Sequence, residues 1–292
     1  MKRTLSFLLI VLMLLVAPPN AARSGTTEKP VVRFGVNLRY NPISMYKRYQ
    51  PLMDYLTQHT PYRFELKIGR DYLEALRYLK YGSTQIGLLG DIAFVEARLR
   101  FGAVPILMPL REDGRPSYRS AIVVPRNSPL SSLQDLKGKS LALGNIHSTS
   151  GNFFPRYLLL SKRIYLRELG SVANLRNHDA VARAVLRGEY DAGAVNDLTA
   201  EKYRKEGLRV LAYSDPIPTA PIVVRKDAPR QLVKAVSDAL LALDRTNPAH
   251  KKIMRNWDDT LRYGFTTANV SDYRQVARMF KTIPSSCGKG CH

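Results

Sequence analysis

The stretch LALGNIHSTSGNFFPRYLLL, residues 141–160, decides how this chain is read. LALGN is a short apolar run that ends on a glycine and an asparagine, as a buried strand does where it meets a loop. HSTSG then gathers Ser148, Thr149 and Ser150 directly before Gly151, and NFFPRYLLL turns apolar at helical spacing. Strand, loop and helix in that order are one step of an open α/β sheet, in which ligands sit beyond the carboxyl ends of the strands. The three hydroxyls therefore lie where the unpaired amides and the dipole of a helix start favour an anion. Gly151 lets the backbone come close to such a ligand. An ordinary N-cap is the other use of these residue types, and one hydroxyl suffices for that.

Outward from this stretch the same alternation covers most of the chain. VVRFGVNL (31–38) is a β-branched run, and YKRYQPLMDYLTQH (46–59) sets Tyr49, Leu52, Met53 and Leu56 on one helical face. RFELKIG (63–69) alternates as a half-buried strand, and DYLEALRYLKYG (71–82) spaces Leu73, Leu76 and Leu79 by three before Gly82. QIGLLG, VPILMPL and SAIVVP read as further strands. A second unit begins near Ser120: SLQDLKGKSLALGN predicts a helix, a glycine turn and a strand, and NHDAVARAVLRGEYDAGAVND a helix ending near Gly188 with a strand near Ala192 to Val195. LRVLAYS and APIVVRKD add strands, and PRQLVKAVSDALLALDR is an amphipathic helix. The pattern implies largely parallel sheets with helices on both faces, arranged as two lobes. The chain crosses between them near residues 118–125 and 214–224. The reading has residues 31–119 and 222–280 as the first lobe, 120–221 as the second and 281–292 as a tail.

The N-terminus stands apart from this fold. MKR followed by the apolar run 5–17 and then PPNAA predicts a secretory signal over residues 1–22, cleaved near Ala21 or Ala22, and hence an exported, periplasmic protein. The apolar run is shorter than the roughly 20 residues of a spanning helix, which sets an uncleaved anchor in second place. Of 292 residues, 45 are Lys or Arg and 24 are Asp or Glu, a formal charge of +21. Such a field draws anions. The basic residues are scattered singly through amphipathic segments without a recognition motif, so nucleic acid is not the expected partner.

The segments 118–145, STSG, 177–197 and 208–227 together resemble the phosphate, phosphite and phosphonate substrate-binding proteins of ABC transporters, over nearly the whole mature chain to about residue 280. The resemblance implies a two-lobed type II periplasmic binding protein fold, α/β, with mixed sheets flanked by helices and a hinge of two crossover segments. It implies a small oxyanion ligand, an ABC permease or a membrane sensor kinase as partner, a monomer, and no enzymatic activity. By similarity, Ser148, Thr149 and Ser150 hold the oxyanion head group, His178 of NHDA is a further donor, and Tyr72 and Tyr118 line the cleft. Taken by themselves, His178 has the alternative of capping its own helix, and the tyrosines that of half-buried core residues with a wet hydroxyl. Asp91 of LLGDIAF falls in a loop that lines the cleft in the family. A carboxylate there favours a ligand that shares a proton, its alternative being a solvent-facing Asp at a strand end. Phe94 falls where a polar lining residue is sought. Relatives that take up aminoalkyl phosphonates carry carboxylates at positions that match Leu198 and Ala220, with Asp197 adjacent, so an ammonium tail loses its counter-charge here.

The chain ends in SSCGKGCH, with Cys287 and Cys291 its two cysteines. In an exported protein a lone pair reads first as a disulfide. His292 directly after the second cysteine instead resembles a widened c-type haem attachment pattern, with two thioethers and an axial histidine. Three readings stand: one covalent haem c with His292 on the iron, a disulfide, or else free thiols or another metal. Met53, Met108, Met254, Met279, His59 and His250 are the candidates for a distal ligand. With haem, the alternative function is a monohaem redox or redox-sensing protein with a redox partner.

Overall fold

A computed structural model describes residues 28–37 and 42–283. The segment expected to be a signal and the tail with Cys287, Cys291 and His292 lie outside the described residues.

The chain opens with β1 (Val31–Asn37), α1 (Pro42–His59) and β2 (Arg63–Gly69). The face of α1 that carries Tyr49, Leu52, Met53 and Leu56 is fully buried in one apolar core with Phe34 of β1 and Phe64 of β2. Each such aliphatic side chain contributes about 1.5–3 kcal/mol by leaving water. α2 (Tyr72–Lys80), β3 (Ile86–Leu88), α3 (Asp91–Phe101) and β4 (Val104–Pro109) follow. Gly102, at φ 73°, ends α3 in the left-handed conformation that glycine adopts without strain. A two-residue strand β5 (Ser117–Tyr118) leads into β6 (Ser120–Pro125) and β7 (Ser140–Leu143). Between these, SLQDL makes only one 3₁₀ turn, Leu133–Leu136, closed by a capping box of Ser132 and Asp135 rather than the helix expected from sequence.

α4 (Phe154–Ser161), β8 (Ser171–Asn174), α5 (His178–Leu186), β9 (Ala192–Asn196), α6 (Asp197–Arg204) and β10 (Leu208–Tyr213) complete the middle of the chain. β11 (Ile217–Pro218) and β12 (Ile222–Val224) bring it back to the first sheet. α7 (Arg230–Leu241), α8 (Pro248–Met254), β13 (Phe265–Thr267) and α9 (Arg274–Thr282) close it.

The strands form two sheets. One runs β13-β4-β12-β3-β1-β2, the other β10-β6-β9-β7-β8. Each is parallel on one side, at β2-β1-β3 and β8-β7-β9. Each is antiparallel on the other, where β12, β13, β6 and β10 join. The strands that arrive by crossover enter against the direction of their neighbours, so the sheets are mixed rather than largely parallel. β5 and β11 pair antiparallel as a ribbon between the sheets. Thr219 ties that ribbon to the first sheet, its N–H donating to the Pro116 carbonyl at 3.0 Å and its hydroxyl to the Pro109 carbonyl at 2.6 Å. Phe153 and Phe154 of the second lobe share one apolar cluster with Ile92, Phe94 and Val95 of α3 and with Tyr273 and Val276 at the start of α9. No described helix is long and apolar enough to cross a membrane.

Candidate functional site

A cleft of about 1120 Å³ opens between the two sheets, lined from both. Helix starts face it from either side, at the carboxyl ends of strands where ligands gather in open sheets. Tyr72 is the first residue of α2 and lines the cleft. Its helix begins firmly: Asp71 Oδ1 accepts from the Glu74 amide at 2.7 Å, and Glu74 accepts from the Arg70 amide at 2.7 Å and from the Arg70 guanidinium at 2.8 Å. The Arg70 side chain, then its amide, hold the Glu74 carboxyl at about 2. The Tyr72 ring lies 6.3 Å from that of His147, whose pKa burial lowers against the pull of Glu96 and Asp71.

The hydroxyl cluster is not a loop followed by a regular helix. Residues Thr149–Phe153 form one wide π turn that runs into α4. Two close contacts set its shape. The Gly144 amide, at the end of β7, donates to the Gly151 carbonyl at 2.7 Å, and Ser120 Oγ donates to the Ser150 carbonyl at 2.7 Å. Ser148 caps the turn, its Oγ accepting from the Gly151 amide at 3.1 Å. A hydroxyl that accepts keeps its own proton to give. Thr149 Oγ1 likewise accepts, at 3.2 Å, from the amide of Ile92 in α3, across the cleft. The amides of Thr149 and Ser150 come first in the turn and have no acceptor within it. Ser148, Thr149 and Ser150 are all buried and all line the cleft.

His178 is the first residue of α5 and also lines the cleft. It does not cap its helix, because Asn177 Oδ1 accepts from the Ala180 amide at 2.9 Å and fills that role. Its ring packs on the hydroxyl turn: a Cβ on Gly151 would stand 3.0 Å from His178 Cε1 and 2.9 Å from Ser148 Oγ. The sequence thus separates Tyr72, Tyr118, the hydroxyl turn and His178 by over a hundred residues, and the fold lines one cleft with all of them.

Two sequence expectations change. Asp91 is not in a loop and does not line the cleft. It is the first residue of α3, fully buried, and its Oδ2 accepts from the Tyr118 hydroxyl at 2.7 Å. Phe94, one turn on, is buried edge-on against Tyr273 with ring centroids 4.8 Å apart, and contributes to the core rather than to the cleft wall.

Leu198 and Ala220 do line the cleft. The neighbouring Asp197 is engaged elsewhere: Arg111 of the first lobe lies 3.3 Å from its Oδ1, and the amides of Arg119 and Leu198 donate to it. Burial pushes the Asp197 pKa up, and Arg111 and those amides pull against it. Arg111 was not singled out from the sequence, because LREDGRP reads as a solvated charged turn. Further out, Asp259 holds Arg48 at 3.0 Å and Arg262 at 3.1 Å, and Lys202 donates to Asp179 at 2.8 Å. Burial raises the Asp179 pKa, but Lys202 and neighbouring groups outweigh it and the net shift is down.

Of the candidate distal haem ligands, the four methionines are buried, His59 is exposed and His250 is half-buried. Met53 and Met254 are in one apolar core, Met108 and Met279 in another. His59 stacks on Tyr55 at 4.1 Å, and His250 Nδ1 accepts from the Asp244 amide at 3.0 Å. Among the described residues no three His, Cys, Asp or Glu are grouped to hold a metal.

Residues 34–273 match the family described as ABC transporter, phosphonate, periplasmic substrate-binding protein. The chain is 24% identical over 238 residues to the phosphonates-binding periplasmic protein of Escherichia coli K12, covering 78% of this chain and 70% of that protein. Its fold is similar to that of PhnD1 from Prochlorococcus marinus, solved with methylphosphonate, at a TM-score of 0.75 and 21% identity over 87% of this chain and 98% of that one. It is similar also to the binding component of an ABC phosphonate transporter from Pseudomonas aeruginosa, at a TM-score of 0.74 and 20% identity, covering 86% of each chain.

Proposed function

This chain belongs to the family of periplasmic phosphonate substrate-binding proteins of ABC transporters, and on that premise we propose that it captures a small phosphorus oxyanion, a phosphonate, phosphite or phosphate, between its lobes. The closed form is then presented to an ABC permease or a membrane sensor. The observation that carries this reading is the buried turn Thr149–Phe153 with its Ser148 cap, whose Ser148, Thr149 and Ser150 line one cleft together with Tyr72, Tyr118 and His178. Neutral donors of this kind surround an oxyanion with charge-assisted hydrogen bonds and need no direct salt bridge. The net charge of +21 attracts the ligand at long range.

The reading requires no chemistry on the ligand. Closure of the two lobes about the β5–β11 ribbon is the working motion. The redox alternative rested on Cys287, Cys291 and His292, outside the described residues, and the matching family consists of substrate-binding proteins.

Calorimetric titration with methylphosphonate, phosphite and phosphate tests the proposal. Binding of at least one of them, lost when Ser148 and Thr149 are both replaced by alanine in a protein that still melts cooperatively, is the expected result. Unchanged affinity in that double variant sinks it.

A further inference from the structure

The cleft is larger than a one-carbon phosphonate needs. Pockets of about 300–1,000 Å³ take drug-sized ligands, and the space between the two sheets is about 1120 Å³. Beyond a head group on the hydroxyl turn there is room for a tail, and the charge of the wall decides which tail is accepted. Leu198 and Ala220 bring no carboxylate to that wall. Six cations line it against three carboxylates, Asp71, Asp179 and Asp259.

Five of the six cations are held by carboxylates. Arg70 lies 2.8 Å from Glu74, Arg111 3.3 Å from Asp197 and Lys202 2.8 Å from Asp179, while Arg48 and Arg262 lie 3.0 and 3.1 Å from Asp259. Arg176 is the sixth. It is exposed on the cleft and makes no ion pair with any described residue. Its charge is balanced by water alone, and an anion in the cleft can take the place of that water.

The chain fixes where this cation stands. β8 ends at Asn174, whose Oδ1 accepts from Asn152 Nδ2 in the hydroxyl turn. α5 begins at His178, whose ring packs on Gly151 of the same turn. Between these anchors the Leu175 amide donates to the Leu143 carbonyl at 2.8 Å, and Asn177 caps α5. Arg176 is two residues from either anchor, and two residues span at most about 7 Å. A segment stapled at both ends to the cradle therefore presents one unpaired guanidinium beside it.

We infer that Arg176 is a specificity-determining residue that receives a second anionic group of the ligand, and that the site selects phosphonates with a carboxylate on a short tail. This deepens the oxyanion-binding reading above and rests on it. The neutral donors of the turn take the phosphorus head group, and the planar guanidinium matches a carboxylate with two parallel hydrogen bonds. In an open, hydrated cleft such a pair is weak. Once the lobes close and water leaves, a hydrogen bond between charged groups corresponds to about tenfold in affinity or more.

The experiment is calorimetry on the full chain at neutral pH with phosphonoacetate, 3-phosphonopropionate and 4-phosphonobutyrate, each against the alkylphosphonate of equal carbon number. For at least one tail length the wild type is expected to bind the carboxylate-bearing ligand at least about tenfold more tightly. Arg176→Gln is expected to remove most of that preference and to leave alkylphosphonate binding within about twofold of the wild type. Lys252→Gln removes the same charge from an exposed position of α8 that does not line the cleft, and is expected to keep the preference. No preference at any tail length overturns the inference. So does a preference that Arg176→Gln retains, or one that Lys252→Gln reduces equally, which would mark general attraction by the basic surface. Melting curves of the variants confirm that each still folds. A wild type that binds methylphosphonate, phosphite or phosphate without favouring the carboxylate removes this inference alone, whereas one that binds none of them removes the oxyanion reading itself.

Discussion

The amide of Ile92 donates to the hydroxyl of Thr149 at 3.2 Å, although the two residues belong to different lobes. α3 begins at Gly90 and Asp91 with no side-chain cap from its own segment. Thr149 fills that role from across the cleft. Its oxygen holds the first lobe while its proton remains for the ligand, so lobe closure and anion capture meet on one side chain. Hydrogen bonds that share a hydroxyl in this way polarise each other.

Thr149→Val keeps the shape and removes both bonds. Losing a helix cap of about 1 kcal/mol together with one charge-assisted donor is expected to weaken methylphosphonate binding by about 10- to 100-fold. Thr149→Ser, which keeps the hydroxyl, is expected to stay within about fivefold of the wild type. Titration calorimetry measures both, and small-angle scattering with ligand should show the Val variant less compact. A Val variant that binds like the wild type would remove Thr149 from both roles.

Gly151 sits where three groups converge. A Cβ there would stand 2.9 Å from Ser148 Oγ, 3.0 Å from His178 Cε1 and 3.1 Å from Gly144 Cα. Gly144 is backbone and cannot swing aside, so Gly151→Ala must displace the turn. The expected cost is about 1–3 kcal/mol of stability, as for overpacking in a tight interior. Oxyanion binding should fall further than the melting temperature suggests, because the displaced atoms are the cradle. Thermal melts paired with titration separate the two effects.

The strand-loop-helix order around Ser148 was legible because each piece carries its own local signal: an apolar run, a hydroxyl-rich turn and a glycine. The helices α2 and α5 were legible from their apolar spacing, while their caps, Asp71 and Asn177, came from the structure, His178 having been a candidate to cap its own helix. α3 was not, since Asp91, Ile92, Ala93, Phe94 and Val95 are buried in succession and leave no polar face to reveal a helical period. Misplacing that helix as a loop put Asp91 and Phe94 on the cleft wall. Arg111 was hidden for another reason. Its value lies in Asp197, 86 positions along the chain, and no local pattern announces a partner so distant.

The counter-charge missing from Leu198 and Ala220 leads to a specificity prediction. Both line the cleft, and the adjacent Asp197 is engaged by Arg111 and two amides. Aminoethylphosphonate must then bury an ammonium without a partner, and is expected to bind at least about tenfold more weakly than methylphosphonate. Leu198→Glu should narrow or reverse that order. A wild-type preference for the amine-bearing ligand in competition titration would show that its ammonium finds a partner elsewhere.

Glu74 ties acid stability to the start of α2, and hence to Tyr72. Its carboxyl is held at about 2, against an ordinary 4.5, by the Arg70 side chain and then the Arg70 amide. A carboxylate whose folded pKa is depressed adds stability above its unfolded value and loses it as pH falls through the folded one. The window therefore runs downward from 4.5 to about 2. Wild-type protein should lose melting temperature across it, while Glu74→Gln, with no proton to take up, should change less over the same range and start lower at neutral pH. Arg70 is 84% exposed, so added salt should shrink the difference. The ligand arm of the test uses the same window: as the α2 start loosens, Tyr72 loses its fixed place on the cleft wall, and methanesulfonate, which does not change charge there, should be bound more weakly by the wild type as the pH drops. Parallel melting curves of wild type and Glu74→Gln from neutral pH to about pH 2 would show that the Arg70–Glu74 pair does not anchor this helix.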